Sequence, residues 1–167
     1  MDYDRIAYKP NSFVAVFGPT AAPVEASWTA APLNFRASIQ TAEYAVTLHY
    51  GEREMLTISP DGQQILLLAG EIYRPQAAAV GQTVLGLYEQ LGPDFVKDLN
   101  GTFSLILVDS RANRILIATD RNNSSKVLIR WDGGRLIASN SIYLQPTPGA
   151  RLDRTAVASY LATGYLY

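Results

Sequence analysis

The sequence predicts an α+β fold of two stacked, mostly antiparallel sheets with helices outside. Three observations carry this. Apolar segments of strand length recur between Ser12 and Ala138, separated by short turns bearing Gly, Pro or Asp. Two stretches, Val80 to Leu91 and Asp153 to Gly164, switch to a helical pattern. Several strand segments, such as Leu66-Leu67-Leu68-Ala69, are apolar at adjacent positions, so both faces must be covered. A sheet on one side and helices on the other does that.

In chain order, residues 1–11 carry charges and no apolar run and read as an arm. Ser12 to Phe17 is rich in β-branched and aromatic residues and stops at Gly18-Pro19, which predicts a strand. Residues 19–32 are mostly Ala, Pro and Thr without periodicity, which predicts a long mobile loop. Phe35 to Tyr50 reads as extended, and its histidine, His49, as a strand residue facing solvent. Met55 to Ser59 alternates into Pro60-Asp61-Gly62, where proline presets φ and glycine takes positive φ. Gln64 to Ala69 is the return strand, with Gly70-Glu71 as its end. Val80, Val84, Leu87 and Leu91 then form one helix face, weakened at Gly81 and Gly86 by up to about 1 kcal/mol each relative to alanine. Gly92-Pro93 ends it, and Asp94 to Leu99 reads as a short second helix. Phe103 to Val108, Ile115 to Ala118, Val127 to Ile129 and Leu136 to Ala138 are strands joined by short turns. Asp153 reads as an N-cap, Val157, Tyr160 and Leu161 as an apolar face, and Gly164 as a C-cap. Residues 12–167 form one domain.

Composition excludes several functions. The 167 residues contain no cysteine, which removes disulfides, thiolate ligands and a thiol nucleophile. One histidine leaves no structural zinc site and a single possible base for a catalytic triad. Net charge is −1 without a Lys/Arg cluster, so there is no nucleic-acid footprint. No apolar run approaches the roughly 20 residues that span a bilayer. With no apolar leader, a cytoplasmic location is expected.

A resemblance covers roughly residues 12 to 167 in unbroken order. Ala69-Gly70-Glu71-Ile72-Tyr73 resembles the Asn-Gly-Glu-Ile-Tyr signature of the glutaminase domain of asparagine synthetases, class II glutamine amidotransferases with an N-terminal-nucleophile fold. Leu99-Asn100-Gly101-Thr102-Phe103 resembles that family's Leu-Asn-Gly-Met-Phe. Asp120-Arg121 resembles the end of its Arg-Asp-Arg, and Leu136-Ile137-Ala138-Ser139-Asn140 its Phe-Ala-Ser-Glu. Asp153 to Tyr165 resembles its Asp-x-x-Ala-Leu-x-x-Tyr-Leu-x-x-Gly-Tyr. The resemblance implies the four-layer αββα sandwich.

The family's chemistry maps differently. Its nucleophile is an N-terminal cysteine whose α-amine serves as base. Ser12 falls at that position and becomes a nucleophile only if the chain is cut before it. The family's signature asparagine, an oxyanion donor, is Ala69 here; one such donor is worth ~10²–10³ in rate. The aspartate that holds the glutamine amine aligns with Gly81. The arginine loop that holds the carboxylate is replaced by residues 19–32, with Arg36 and Arg53 as substitutes. Ala69, Gly70, Glu71, Tyr73, Gly81, Asp120 and Arg121, with Lys126 beside them, are then the candidates for a relict pocket. Their structural alternative is Glu71 capping backbone amides and Asp120 pairing with Arg121.

The expected function is a catalytically inactive glutaminase-like domain serving as scaffold or interface for an ATP-dependent amide-forming synthetase domain or subunit. β-Lactam synthetases and lasso-peptide cyclases resemble this arrangement. No Ser-Gly-Gly-x-Asp-Ser phosphate loop occurs here, so ATP and Mg²⁺ belong to the partner and this chain needs no cofactor or metal. Ending after Gly164-Tyr165 suggests a truncated or split architecture. A peptide or small-molecule substrate and a homodimer are further possible partners. The alternatives are an amidohydrolase activated by cleavage before Ser12, and a stand-alone binding module.

Overall fold

In a computed structural model, residues 11–19, 33–41 and 43–141, with Thr155 and Ala158, are described. They form two antiparallel sheets. Sheet A has the order β2-β3-β1-β9-β8 and sheet B the order β4-β5-β6-β7. The strands are β1 (Phe13–Pro19), β2 (Phe35–Gln40), β3 (Tyr44–Tyr50), β4 (Leu56–Ile58), β5 (Gln64–Arg74), β6 (Asn100–Asp109), β7 (Arg114–Thr119), β8 (Leu128–Asp132) and β9 (Arg135–Ser139). One α-helix, α1 (Val80–Leu91), and a 3₁₀ helix (Gly92–Asp98) connect β5 to β6.

Alternation along β5 explains its unbroken apolar run. Ile65, Leu67 and Ala69 point into the core between the sheets, with Phe13, Ala15, Phe17, Ile106 and Val108. Leu66, Leu68 and Ile72 point the other way, toward α1. There Val84, Leu85 and Tyr88 are buried against Phe103, Leu105 and Leu107, each such side chain contributing about 1.5–3 kcal/mol. Phe95 of the 3₁₀ helix is fully buried and stands edge-on to Tyr88, ring centroids 5.7 Å apart. The Tyr88 hydroxyl donates to Asp109 Oδ2 at 3.0 Å, fastening the helix to the end of β6.

The turns follow the sequence. Gly62 adopts φ +74 and Gly92 φ +61, ending α1. Gly133 and Gly134, both at positive φ, form the two-residue turn between β8 and β9. That hairpin forms one margin of sheet A and leaves Ile129 and Trp131 exposed.

The short second helix is present as the 3₁₀ helix Gly92–Asp98. Three expectations are corrected. β5 does not stop at Gly70-Glu71 but continues to Arg74: Gly70, at φ +100, pairs with Phe103, and the ladder to β6 stays in register as far as Ile72–Gly101 before a shift between Ile72 and Arg74. The Met55 strand is reduced to Leu56–Ile58 behind a one-turn 3₁₀ helix, Arg53–Met55. His49 is half-buried rather than facing solvent. Its Nε2 is buried with no hydrogen-bond partner among the described residues. Burial, and then the Arg36 charge, push its pKa down.

The arm (1–10), most of the 19–32 loop and most of the Asp153–Gly164 segment, including the second helical layer, lie outside the described residues. Thr155 and Ala158 are helical. Among the described residues no helix is long and apolar enough to cross a membrane.

Candidate functional site

A cleft of about 780 Å³ opens between β5, β4 and the start of α1, within the ordinary size range for ligand sites. It gathers four of the sequence candidates: Gly70, Glu71, Tyr73 and Gly81. Each is placed by local chemistry. Gly70 sits at φ +100, and a Cβ there would run into the Thr102 carbonyl oxygen and lie 3.1 Å from Phe103 Cα. Glu71 pairs with Thr102 across the ladder and is exposed. Tyr73 is half-exposed, its hydroxyl 3.4 Å from Thr102 Oγ1. Gly81 lies in the first turn of α1 against β4. A Cβ there would meet Thr57 Oγ1 and lie 2.8 Å from Thr57 Cβ. No side chain fits at position 81 without displacing Thr57.

Ala69 is different. It is 1% exposed and belongs to the core between the sheets, opposite Ser104. Its methyl group supplies no hydrogen-bond donor.

Ser12 is buried at the start of β1, and its carbonyl accepts from Gly51 N at 3.0 Å. The Asn140 side chain clamps this region at two points. Oδ1 accepts from Phe13 N at 2.9 Å and Nδ2 donates to the Asn11 carbonyl at 2.6 Å. Ser139 Oγ donates to the Phe13 carbonyl at 2.7 Å. An amide side chain meets one carbonyl and one N–H, which suits a continuous peptide through Ser12.

Asp120 and Arg121 stand elsewhere. With Arg74, Lys97 and Asn122 they line a second cleft of about 380 Å³. The Asp120 carboxylate accepts from the backbone N–H groups of Asn122, Ser124 and Ser125 at 3.0–3.2 Å. Burial raises its pKa, but these hydrogen bonds outweigh that and hold it below the ordinary value. Arg121 donates from Nη2 to the Lys97 carbonyl at 3.0 Å. The expected Asp120–Arg121 pair is therefore replaced by two separate backbone anchors. The candidates divide between two clefts and the core.

Neither substitute arginine lines the larger cleft. Arg36 acts on His49 and Arg53 on Tyr50. The charged side chains of the described lining are Glu52, Glu54 and Glu71. Among the described residues no group of three or more His, Cys, Asp or Glu is placed to hold a metal ion. Sequence reasoning missed Thr57 and the clamp by Asn140. The alignment of Asn140 with a family glutamate was the available signal for the second.

Comparison with known proteins agrees with the fold. A model of the glutamine amidotransferase domain matches residues 48–167. Asparagine synthetase B [glutamine-hydrolyzing] of Escherichia coli K12 is 26% identical over 136 residues, 77% of this chain and 24% of that protein. Asparagine synthetase [glutamine-hydrolyzing] 1 of Arabidopsis thaliana is 38% identical over 60 residues, 35% of this chain and 10% of that protein. The nodule asparagine synthetase of Pisum sativum is 42% identical over 55 residues, 32% of this chain and 9% of that protein. The matches thus span a quarter or less of these relatives' lengths.

Proposed function

This chain belongs to the glutamine amidotransferase domain family, and on that premise we propose that it is a non-hydrolytic member. It acts as a cytoplasmic scaffold and interface for an ATP-dependent, amide-forming synthetase domain or subunit. ATP and Mg²⁺ serve that partner, and this chain takes no cofactor.

The observation that carries the reading is Thr57 against Gly81. Where the resemblance places the carboxylate that grips the glutamine amine, Thr57 fills the space a side chain would need. The other positions that the resemblance assigns to the reaction agree. Hydrolysis of glutamine needs a nucleophile with its base, a donor for the oxyanion, and groups for the substrate's amine and carboxylate. Ser12 N is an amide within the chain and cannot serve as base. Ala69 offers a buried methyl group. The described lining has no basic side chain to pair with the substrate carboxylate. The partner assignment is supported by the relatives, whose names are those of asparagine synthetases and whose lengths extend well beyond the matched region.

The alternative, cleavage before Ser12, is disfavoured by Asn140, whose Nδ2 would lose the Asn11 carbonyl on cleavage. Ammonia release from glutamine tests both. We expect none from the full chain, from a chain beginning at Ser12, or from Ala69→Asn. Release by the chain beginning at Ser12 would establish the amidohydrolase instead.

A further inference from the structure

The larger cleft runs along a strand edge that no described strand covers. β5 extends from Gln64 to Arg74, yet β4 pairs with it only at Ile65, Leu66 and Leu67. The opposite edge is occupied by β6 along nearly its whole length. The Gln64 carbonyl accepts from Ser59 N on the β4 side. The alternation of an antiparallel ladder turns the backbone groups of Leu68, Gly70 and Ile72 to that same side. Among the described residues these groups have no hydrogen-bond partner there. Such an edge, recessed in a cleft, is a template for one more strand.

The lining specifies what the strand must carry. Leu56, Leu68 and Ile72 supply apolar surface, and Glu52, Glu54 and Glu71 supply charge of one sign. A free amino acid suits this poorly, because its carboxylate would face three glutamates with no basic side chain of the described lining to pair with. An extended peptide has no such group in its interior, and a basic side chain on it complements the three glutamates.

We propose that the cleft docks an extended peptide segment by strand addition along Leu68–Ile72, and that the segment carries Lys or Arg next to apolar residues. The proposal rests on the non-hydrolytic reading, since a cleft that neither grips nor cleaves glutamine is open to another occupant. The five positions from Leu68 to Ile72 span roughly 17 Å at ~3.4 Å per residue, so a probe of eight residues covers the edge with at least one to spare at each end.

The test is fluorescence polarisation of the full chain with a fluorescein-labelled octapeptide alternating Lys and Val. One control replaces each Lys by Glu. A second keeps the Lys/Val sequence but is N-methylated at alternate residues, which removes the donors a ladder needs. Saturable binding of the first peptide, about tenfold or more tighter than either control, is expected. The exposed pair of changes Glu54→Lys and Glu71→Lys, with the fold checked by circular dichroism, should weaken it by a similar factor. Hydrogen exchange at Leu68, Gly70 and Ile72 should slow on binding. Equal binding of the Glu/Val or N-methylated peptide, indifference to the charge reversal, or no saturable binding overturns the proposal. Those failures leave the non-hydrolytic reading standing, whereas ammonia release from glutamine overturns that reading.

Discussion

Two glycines line the same cleft for unlike reasons. Gly70 is demanded by backbone: its φ is +100, and the obstacle to a side chain is the Thr102 carbonyl and Phe103 Cα. Across the ladder Gly101 is held in the same way, with Ile72 Cα 2.9 Å from where its Cβ would be and the Glu71 carbonyl closer still. Gly81 is demanded by one side chain, that of Thr57. The first kind of glycine belongs to the crossing of β5 and β6 whatever the cleft does. The second belongs to this particular cleft. Signature residues such as Gly70 and Gly101 therefore attest the fold more strongly than the reaction. A chain can keep them, and keep resembling its family, while the cleft beside them changes.

The largest effects should break the backbone side of this comparison. Gly70→Ala and Gly101→Ala are each expected to cost roughly 3 kcal/mol or more in urea unfolding, because a carbonyl cannot be moved aside cheaply. Gly81→Ala should cost about 1–3 kcal/mol, as overpacking does. Thr57→Ala should recover part of that loss in a double-mutant cycle, while Thr102→Ala recovers none of the loss from Gly70→Ala. Equal rescue in both cycles would erase the distinction.

Asp120 extends the backbone side. Its carboxylate answers three N–H groups of its own turn, so Asp120→Ala should lower the urea midpoint near neutral pH. The folded carboxyl titrates below its ordinary 3.8. Its contribution is complete above 3.8 and is lost as pH falls through the depressed value, so wild type and variant should converge in acid. A gap that persists there would mean that the charge is not what the turn needs.

The smallest effect falls on the side-chain side, at His49. Its folded pKa lies below the ordinary 6.5, so the unfolded chain binds the proton more readily. Stability should fall as pH drops from above 6.5 toward the folded value, and His49→Gln should flatten that slope in thermal melts on either side of 6.5. An unchanged slope would place the titration elsewhere.

What was legible in the sequence is what short range dictates. Gly62, Gly133 and Gly134 announce their turns because positive φ is a local demand, and α1 announces itself by its period. The sheet-on-sheet core follows from the doubly apolar run at Leu66 to Ala69. Thr57 against Gly81 and Asn140 against Asn11 were not legible, since each joins segments that meet only when the sheets close. The true length of β5 was hidden for a related reason. Gly-Glu reads as a strand end, and only the partner strand shows that glycine lets the ladder continue. Asp120 was found by its motif but given the wrong partner, because backbone amides leave no mark in a sequence.

Trp131, on the β8–β9 hairpin and 73% exposed, has a spectroscopic consequence. Its indole already stands in water in the folded state, so its emission should be red-shifted and open to quenching by iodide. Loss of the buried core will barely change it. Its fluorescence is a dye on the margin of sheet A, sensitive to whatever comes to rest on that hairpin and nearly blind to the melting of the sheets behind it.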